Sequence, residues 1–251
     1  MAIILKTEKE IAIMRRAGHI LAVALEEVKK NVRPGITTRE LDEIAERELL
    51  RRGTTPSFKG YQGFPASLCA SVNEEIVHGI PGGRVLKEGD IISLDIGNIL
   101  EGFQADMAVT VGVGEISPAA QRLISATQAA LTVGIVQARA GGHLGDIGAA
   151  VEEYAQSRGY GVVREYTGHG IGRNMHEDPQ IPNFGRRGKG PELKKGMTLA
   201  IEPMLNIGTE KTKVAPDCWT VYTADGSLSA HFEHTVAITD GEPEILTLIE
   251  E

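Results

Sequence analysis

Apolar residues recur at helical spacing at Ile11, Met14, Gly18, Leu21, Leu25 and Val28. Just ahead of them, Thr7-Glu8-Lys9-Glu10 has the form of a capping box, in which a Thr hydroxyl and a Glu carboxylate each accept the other residue's free backbone N–H. The pattern predicts a helix that stops before Arg33-Pro34-Gly35. Thr37-Thr38-Arg39-Glu40 repeats the device and opens a second helix through Leu41, Ile44, Ala45, Glu48 and Leu49, ended by Gly53. A loop over 54–66, rich in Gly, Pro and aromatic residues, leads to β-like runs at 67–72, 75–79, 91–98 and 103–111.

The order then repeats. Ser117-Pro118 reads as an N-cap with proline at the first helical position, starting a helix to about Ala140. A shorter helix over 146–158 ends at Gly159, and strand-like stretches follow at 161–168, 197–207, 218–224 and 228–239. Asp225-Gly226 between the last two is a hairpin turn signal. A shift of 106 residues brings Arg33 onto Arg139, Gly35 onto Gly141, Glu40 onto Asp146, Arg52 onto Arg158 and Gly53 onto Gly159 without a gap. The expected fold class is α+β: one domain over 1–251, with related helix-helix-sheet halves at about 7–112 and 117–240. Ligands are often held between such halves.

Composition narrows the function classes. In 251 residues the chain carries a net charge of −8, 41% hydrophobic residues and 30 glycines, a globular profile. An acidic balance argues against DNA binding, which favours basic surfaces. No apolar run approaches the ~20 residues of a membrane helix, and the charged start at Lys6-Thr7-Glu8 does not read as a signal peptide. Cys69 and Cys218 lack CxxC spacing and read as free thiols of a cytoplasmic protein.

There is no Gly-x-Ser-x-Gly elbow, Walker loop or His-Glu-x-x-His motif, and Gly168-His169-Gly170-Ile171-Gly172 does not match a dinucleotide loop. The unusual feature is acid in apolar, strand-like surroundings: Asp95, Asp106, Glu202 and Glu233, with His169 at a glycine-rich strand end. Burying unpaired carboxylates is costly, and too few Lys and Arg lie near them in sequence to pair them all. Two divalent cations would balance the four charges, and oxygen ligands with one imidazole suit Mn, Fe, Co or Zn.

Those five residues, with Asn73-Glu74, Val77-His78-Gly79-Ile80-Pro81, Ser93-Leu94-Asp95, Thr167-Gly168-His169, His176-Glu177, Ile201-Glu202-Pro203 and Glu233-His234-Thr235, resemble the methionine aminopeptidases. The likeness runs from the first helix to the last strand and is similar to the short, type I form. It implies the pita-bread fold, with Asp106 and Glu233 bridging two metals, Asp95 completing one shell, and His169 and Glu202 the other. It further implies removal of N-terminal Met ahead of a small residue: a bridging water attacks the carbonyl while one metal holds the free amine. Glu202 is then the general base, His176 a donor to the carbonyl oxygen and His78 a contact to the scissile amide. The Met pocket would draw on Phe58, Tyr61, Phe64, Cys69, His78, Met175 and Trp219, with Phe64 and Met175 departing from residues common in relatives. The partners implied are N-termini of nascent, ribosome-proximal chains; a monomer is the default expectation, and charge and hydropathy argue against DNA and membrane as partners. A proline-specific peptidase of the same fold and a non-catalytic binding module are the alternatives.

Overall fold

The computed structural model describes residues 2–249. Helices α1 (Glu8–Lys30) and α2 (Thr38–Arg51) precede β1 (Thr55–Pro56), a 3-10 turn (Tyr61–Gly63), β2 (Leu68–Val72), β3 (Glu75–Val77), β4 (Ile91–Leu100) and β5 (Phe103–Gly112). Next come α3 (Pro118–Val136), α4 (Leu144–Gln156), β6 (Gly161–Val162), β7 (Gly168–Gly170), β8 (Glu177–Ile181) and β9 (Thr198–Ile201). The chain continues through β10 (Met204–Asn206), β11 (Thr212–Val214), β12 (Val221–Thr223), β13 (Ser229–His231), β14 (Glu233–Ala237) and β15 (Glu244–Ile245).

The helices begin where side chains satisfy their free N–H groups. Glu10 accepts the Thr7 amide at 2.9 Å, Glu40 accepts the Thr37 amide at 2.8 Å, and Ser117 accepts the Ala120 amide at 3.1 Å. The apolar stripe of α1 is buried as its spacing predicts. α4 starts two residues earlier than expected, because the Asp146 carboxylate accepts the His143 amide at 2.7 Å and so caps the helix from there. α3 stops at Val136, short of Ala140, because the chain tightens through Gln137 and Ala138 N–H bonds to Gly134 and Ile135 and buries Ala138.

The two helix pairs keep the 106-residue spacing. α1 and α3 end at Lys30 and Val136, and α2 and α4 begin at Thr38 and Leu144. The residues before them, Thr37 and His143, each form an isolated bridge, to Val85 and Glu192. Gly35 and Gly141 both sit at positive φ, 92° and 84°, where a side chain would be strained. Each helix pair covers its own apolar core, one built on α1, α2, β2 and β4, the other on α3, α4 and β9.

A nine-stranded sheet runs β1-β4-β5-β14-β9-β7-β8, with β2 also on β4 and β15 also on β14. Two three-stranded sheets, β13-β10-β6 and β11-β12-β3, flank it. The long runs expected at 197–207 and 228–239 are each broken, at Glu202-Pro203 and at Phe232. Proline cannot donate a ladder hydrogen bond; the first run passes from the large sheet to a small one at its break, and the second from that small sheet back to the large one. The run at 161–168 is strand only at Gly161–Val162 and again from Gly168. Asp225-Gly226 does not make the expected hairpin, because β12 and β13 lie in different sheets. The Asp225 carboxylate instead accepts the Thr209 and Ser227 amides and redirects the chain between them.

Gly18 is where α1 meets the C-terminal segment: a Cβ there would lie 2.6 Å from the Leu246 carbonyl carbon. Backbone cannot yield as a side-chain tip can, so Gly18→Ala should destabilise the protein by about 1–3 kcal/mol. A lower urea midpoint at unchanged slope is the expected readout.

Candidate metal centre

The register of the large sheet gathers the acidic residues. Asp95 on β4 and Glu233 on β14 both pair with Ala108 of β5, and Asp106 lies two residues from Ala108. His169 on β7 pairs with Ala200 of β9, and Glu202 lies two residues beyond it. Thr235, two residues after Glu233, also pairs with Ala200. Partners in register and residues two apart share one face of a sheet. Five neighbouring strands therefore present Asp95, Asp106, Glu233, Glu202 and His169, in that spatial order, on the same side. Small Ala108 and Ala200 between them leave the space open. Thr235 fastens the centre, its hydroxyl donating to the Asp106 carbonyl at 2.8 Å and accepting the Asp106 amide at 2.9 Å.

These groups are buried and short of partners. Among the described residues the four carboxylates pair with no Lys or Arg; the ion-pair neighbours of Asp106, Glu202 and Glu233 are imidazoles. Asp95 Oδ1, Asp106 Oδ1 and Glu233 Oε1 are buried without a hydrogen bond. Burial pushes Asp95 up to about 7 and holds Asp106, Glu202 and Glu233 well above the ordinary carboxylate range. Neighbouring carboxylates add to the rise for Asp106 and Glu233. Burial pushes His169 down to about 3. Its Nδ1 lies 2.9 Å from the Gly170 carbonyl, which fixes the proton there and leaves Nε2 bare. That nitrogen faces Asp106 at 3.9 Å and Glu202 at 3.7 Å. Orphaned carboxylate oxygens around a bare imidazole nitrogen, with no Lys or Arg side chain among the described residues to pair them, fit a divalent metal.

The centre floors a cleft of about 690 Å³, part of it open to solvent. Every site residue expected from the sequence lines it: the five above with Phe58, Tyr61, Phe64, Cys69, His78, Met175, His176 and Trp219. Phe64 and Trp219 meet edge to face with centroids 5.1 Å apart. Gly97 is needed here, since a Cβ would come within 2.9 Å of Met175 Cε and Phe58. His78 sits at φ 59°, a strained conformation for a side-chain-bearing residue, and burial pushes its ring down to about 4. The His176 ring lies 4.3 Å from His169, and its Nδ1 is 2.8 Å from the Tyr61 hydroxyl. Its loop is tied down by Glu177, which pairs with Lys6 at 2.5 Å and accepts the Asn174 amide at 3.2 Å.

Two residues at the site were not expected. Gln62 lines the cleft from the 3-10 turn. His231 sits beside Glu202 and Glu233, and its position two residues before Glu233 in a strand-like run was the signal that both share a face. Cys69 is buried in the cleft wall and Cys218 exposed, both free as expected.

Residues 12–240 match the family model of metallopeptidase family M24. The chain belongs to that family. This M24 metallopeptidase is 56% identical to methionine aminopeptidase of Clostridium perfringens over 98% of its own length and 99% of the relative's. It is 53% identical to methionine aminopeptidase 1 of Bacillus subtilis over 98% and 100%. A crystal structure of methionine aminopeptidase from Rickettsia prowazekii superposes at a TM-score of 0.97 and 43% identity, covering 98% of this chain and 100% of that one. The architecture is the pita-bread fold, and the M24 enzyme is a hydrolase that uses divalent metal.

The raised carboxyls give the metal-free protein a distinctive pH response. Each holds in the folded state a proton that the unfolded chain releases near pH 4, so each opposes folding as pH rises toward its folded value. The lowered imidazoles act in the opposite sense, but only up to about pH 6.5, where unfolded histidine has already lost its proton. Above that pH the raised carboxyls dominate the slope, through Asp95 near 7 and onward, and the raised Cys69 thiol adds to it in the same sense toward pH 8.5. The melting temperature of chelated protein should therefore fall from about pH 6.5 to 8.5, and the gain on adding Mn²⁺ should widen over the same range. Calorimetric scans with and without chelator check this; a chelated melting temperature that holds level would contradict it.

Proposed function

We propose that this cleft removes the N-terminal methionine from peptides and nascent proteins with a small second residue. Two divalent cations would be held there by Asp95, Asp106, His169, Glu202 and Glu233. The observation that carries the proposal is the convergence of four buried carboxylates that no Lys or Arg among the described residues pairs, three of them with an orphaned oxygen, and a bare imidazole nitrogen beside an apolar pocket. When bound, such cations lower the pKa of a water to near neutrality and polarise the scissile carbonyl.

The chain's own groups do the rest. Glu202 combines a metal-facing oxygen with a buried, raised carboxyl and so handles the nucleophile's proton as general base. The Tyr61 hydroxyl lies 2.8 Å from His176 Nδ1; in the tautomer in which Tyr61 donates there, the imidazole proton sits on Nε2, free to donate to the carbonyl oxygen as charge develops there. His78, held neutral by burial and packed edge-on against Trp219, contacts the scissile amide. Phe58, Phe64, Cys69, Met175 and Trp219 form one apolar cluster, a wall suited to a flexible thioether.

The setting follows the same reading: one catalytic domain, monomeric and cytoplasmic, meeting N-termini near the ribosome. A net charge of −8 supports protein substrates over DNA. Among the described residues no helix is long and apolar enough to cross a membrane.

Turnover of Met-Ala-Ser, Met-Leu-Ser and an Xaa-Pro peptide, after chelation and add-back of single metals, tests the proposal. Met-Ala-Ser should be strongly preferred, and preference for Xaa-Pro would overturn it. Asp106→Ala and Glu233→Ala should each lose metal and turnover together, by elemental analysis and peptide assay. His176→Ala should keep its metal while kcat falls about 10²–10³-fold.

A further inference from the structure

His231 is the one imidazole at the centre to which the reading above gives no task. It is 1% exposed, and neither ring nitrogen has a hydrogen-bond partner among the described residues. A buried polar ring left wholly unsatisfied is rare in folded proteins and calls for a missing partner. Its backbone is held rigidly: the His231 amide donates to Thr110 Oγ1 at 2.9 Å, and that hydroxyl donates to the His231 carbonyl at 2.8 Å. The ring is therefore aimed by the sheet.

It is aimed at the carboxylates. His231 Nε2 stands 3.6 Å from Glu202 Oε2 and 3.9 Å from Glu233 Oε2. The assigned imidazole, His169, has nearly the same surroundings, with Nε2 3.7 Å from Glu202 Oε1 and 3.9 Å from Asp106 Oδ2. Glu202 thus lies between two imidazoles, one facing each of its oxygens. Atoms of Glu202, His231 and Glu233 all lie within 4.8 Å of one another, as do those of Asp106, His169 and Glu233. Separations above 3.5 Å are too long for direct hydrogen bonds, but they suit donors arranged around a common cation.

We propose that His231 is a sixth metal ligand, binding through Nε2 the cation shared by Glu202 and Glu233. The inference rests on the metal-dependent reading of the cleft given above. A second neutral imidazole adds no charge, yet it shifts the donor set toward nitrogen. Imidazole favours Zn, Fe, Co and Ni, whereas all-oxygen surroundings suit Mn and Mg. The centre should therefore prefer the former group more strongly than a single-imidazole site would.

Diffraction from the Zn²⁺-loaded wild-type protein, with anomalous data at the metal edge, tests the assignment without any variant. Nε2 should stand about 2.0–2.2 Å from one metal peak. A ring more than about 3 Å from every peak overturns the sixth ligand while leaving the five-ligand reading intact. Calorimetric titration of chelated protein gives a second readout. His231→Gln should weaken Zn²⁺ binding about 10–100-fold and Mn²⁺ binding much less. Equal losses for both metals would place His231 behind Glu202 instead of on the metal and would also overturn the assignment. Protein that takes up no stoichiometric metal and does not cleave Met-Ala-Ser would overturn this inference and the proposed function together.

Discussion

Four carboxylates share the interior of this sheet, and no lysine or arginine among the described residues reaches them. Taken out of water, they have their pKa values raised by burial, with neighbouring carboxylates adding to the rise at Asp95, Asp106 and Glu233, and so they oppose the fold that assembles them. Much of the surrounding structure makes sense as a frame rigid enough to hold that repulsion in place until a cation cancels it. Antiparallel pairing supplies the frame, with both faces of the central strands buried. The Thr235 and Thr110 hydroxyls each bridge a strand to its neighbour beside an acidic group.

The breaks in the strands matter as much as the strands. Pro203 ends one ladder directly after Glu202, and Phe232 interrupts another directly before Glu233. The two interruptions are joined, the Phe232 amide donating to the Pro203 carbonyl at 3.3 Å. Each carboxylate therefore stands where the chain leaves one sheet for another. A ligand at such a crossing has its backbone fixed on one side by the large sheet and its approach opened on the other.

Much of this was legible in the chain itself. Capping boxes at Thr7 and Thr37, and a proline after Ser117, marked helix starts because capping is a local interaction. The metal-facing residues stood out because an acid in the middle of an apolar run is costly unless something shared repays it. What escaped was non-local. The sheet switch at Asp225 depends on Thr209 amide capture across sixteen residues of sequence. His231 was visible only as a neighbour of Glu233, since its lack of partners becomes apparent once the strands on either side are in place. The failure of the 161–168 run to form one strand likewise reflects which neighbours were free to pair, not residue preference.

The buried pair of Lys6 and Glu177 joins the first residues of the chain to the loop that carries Met175 and His176. A carboxylate stripped of its partner in so dry a place costs roughly 3–5 kcal/mol. The amino-terminal segment, which looks like a dispensable lead-in to the first helix, is thus a tether for the reactive loop. Trimming it, or crowding it with a fused tag, would be felt at the opposite end of that tether, in chemistry more than a hundred and sixty residues away along the polymer.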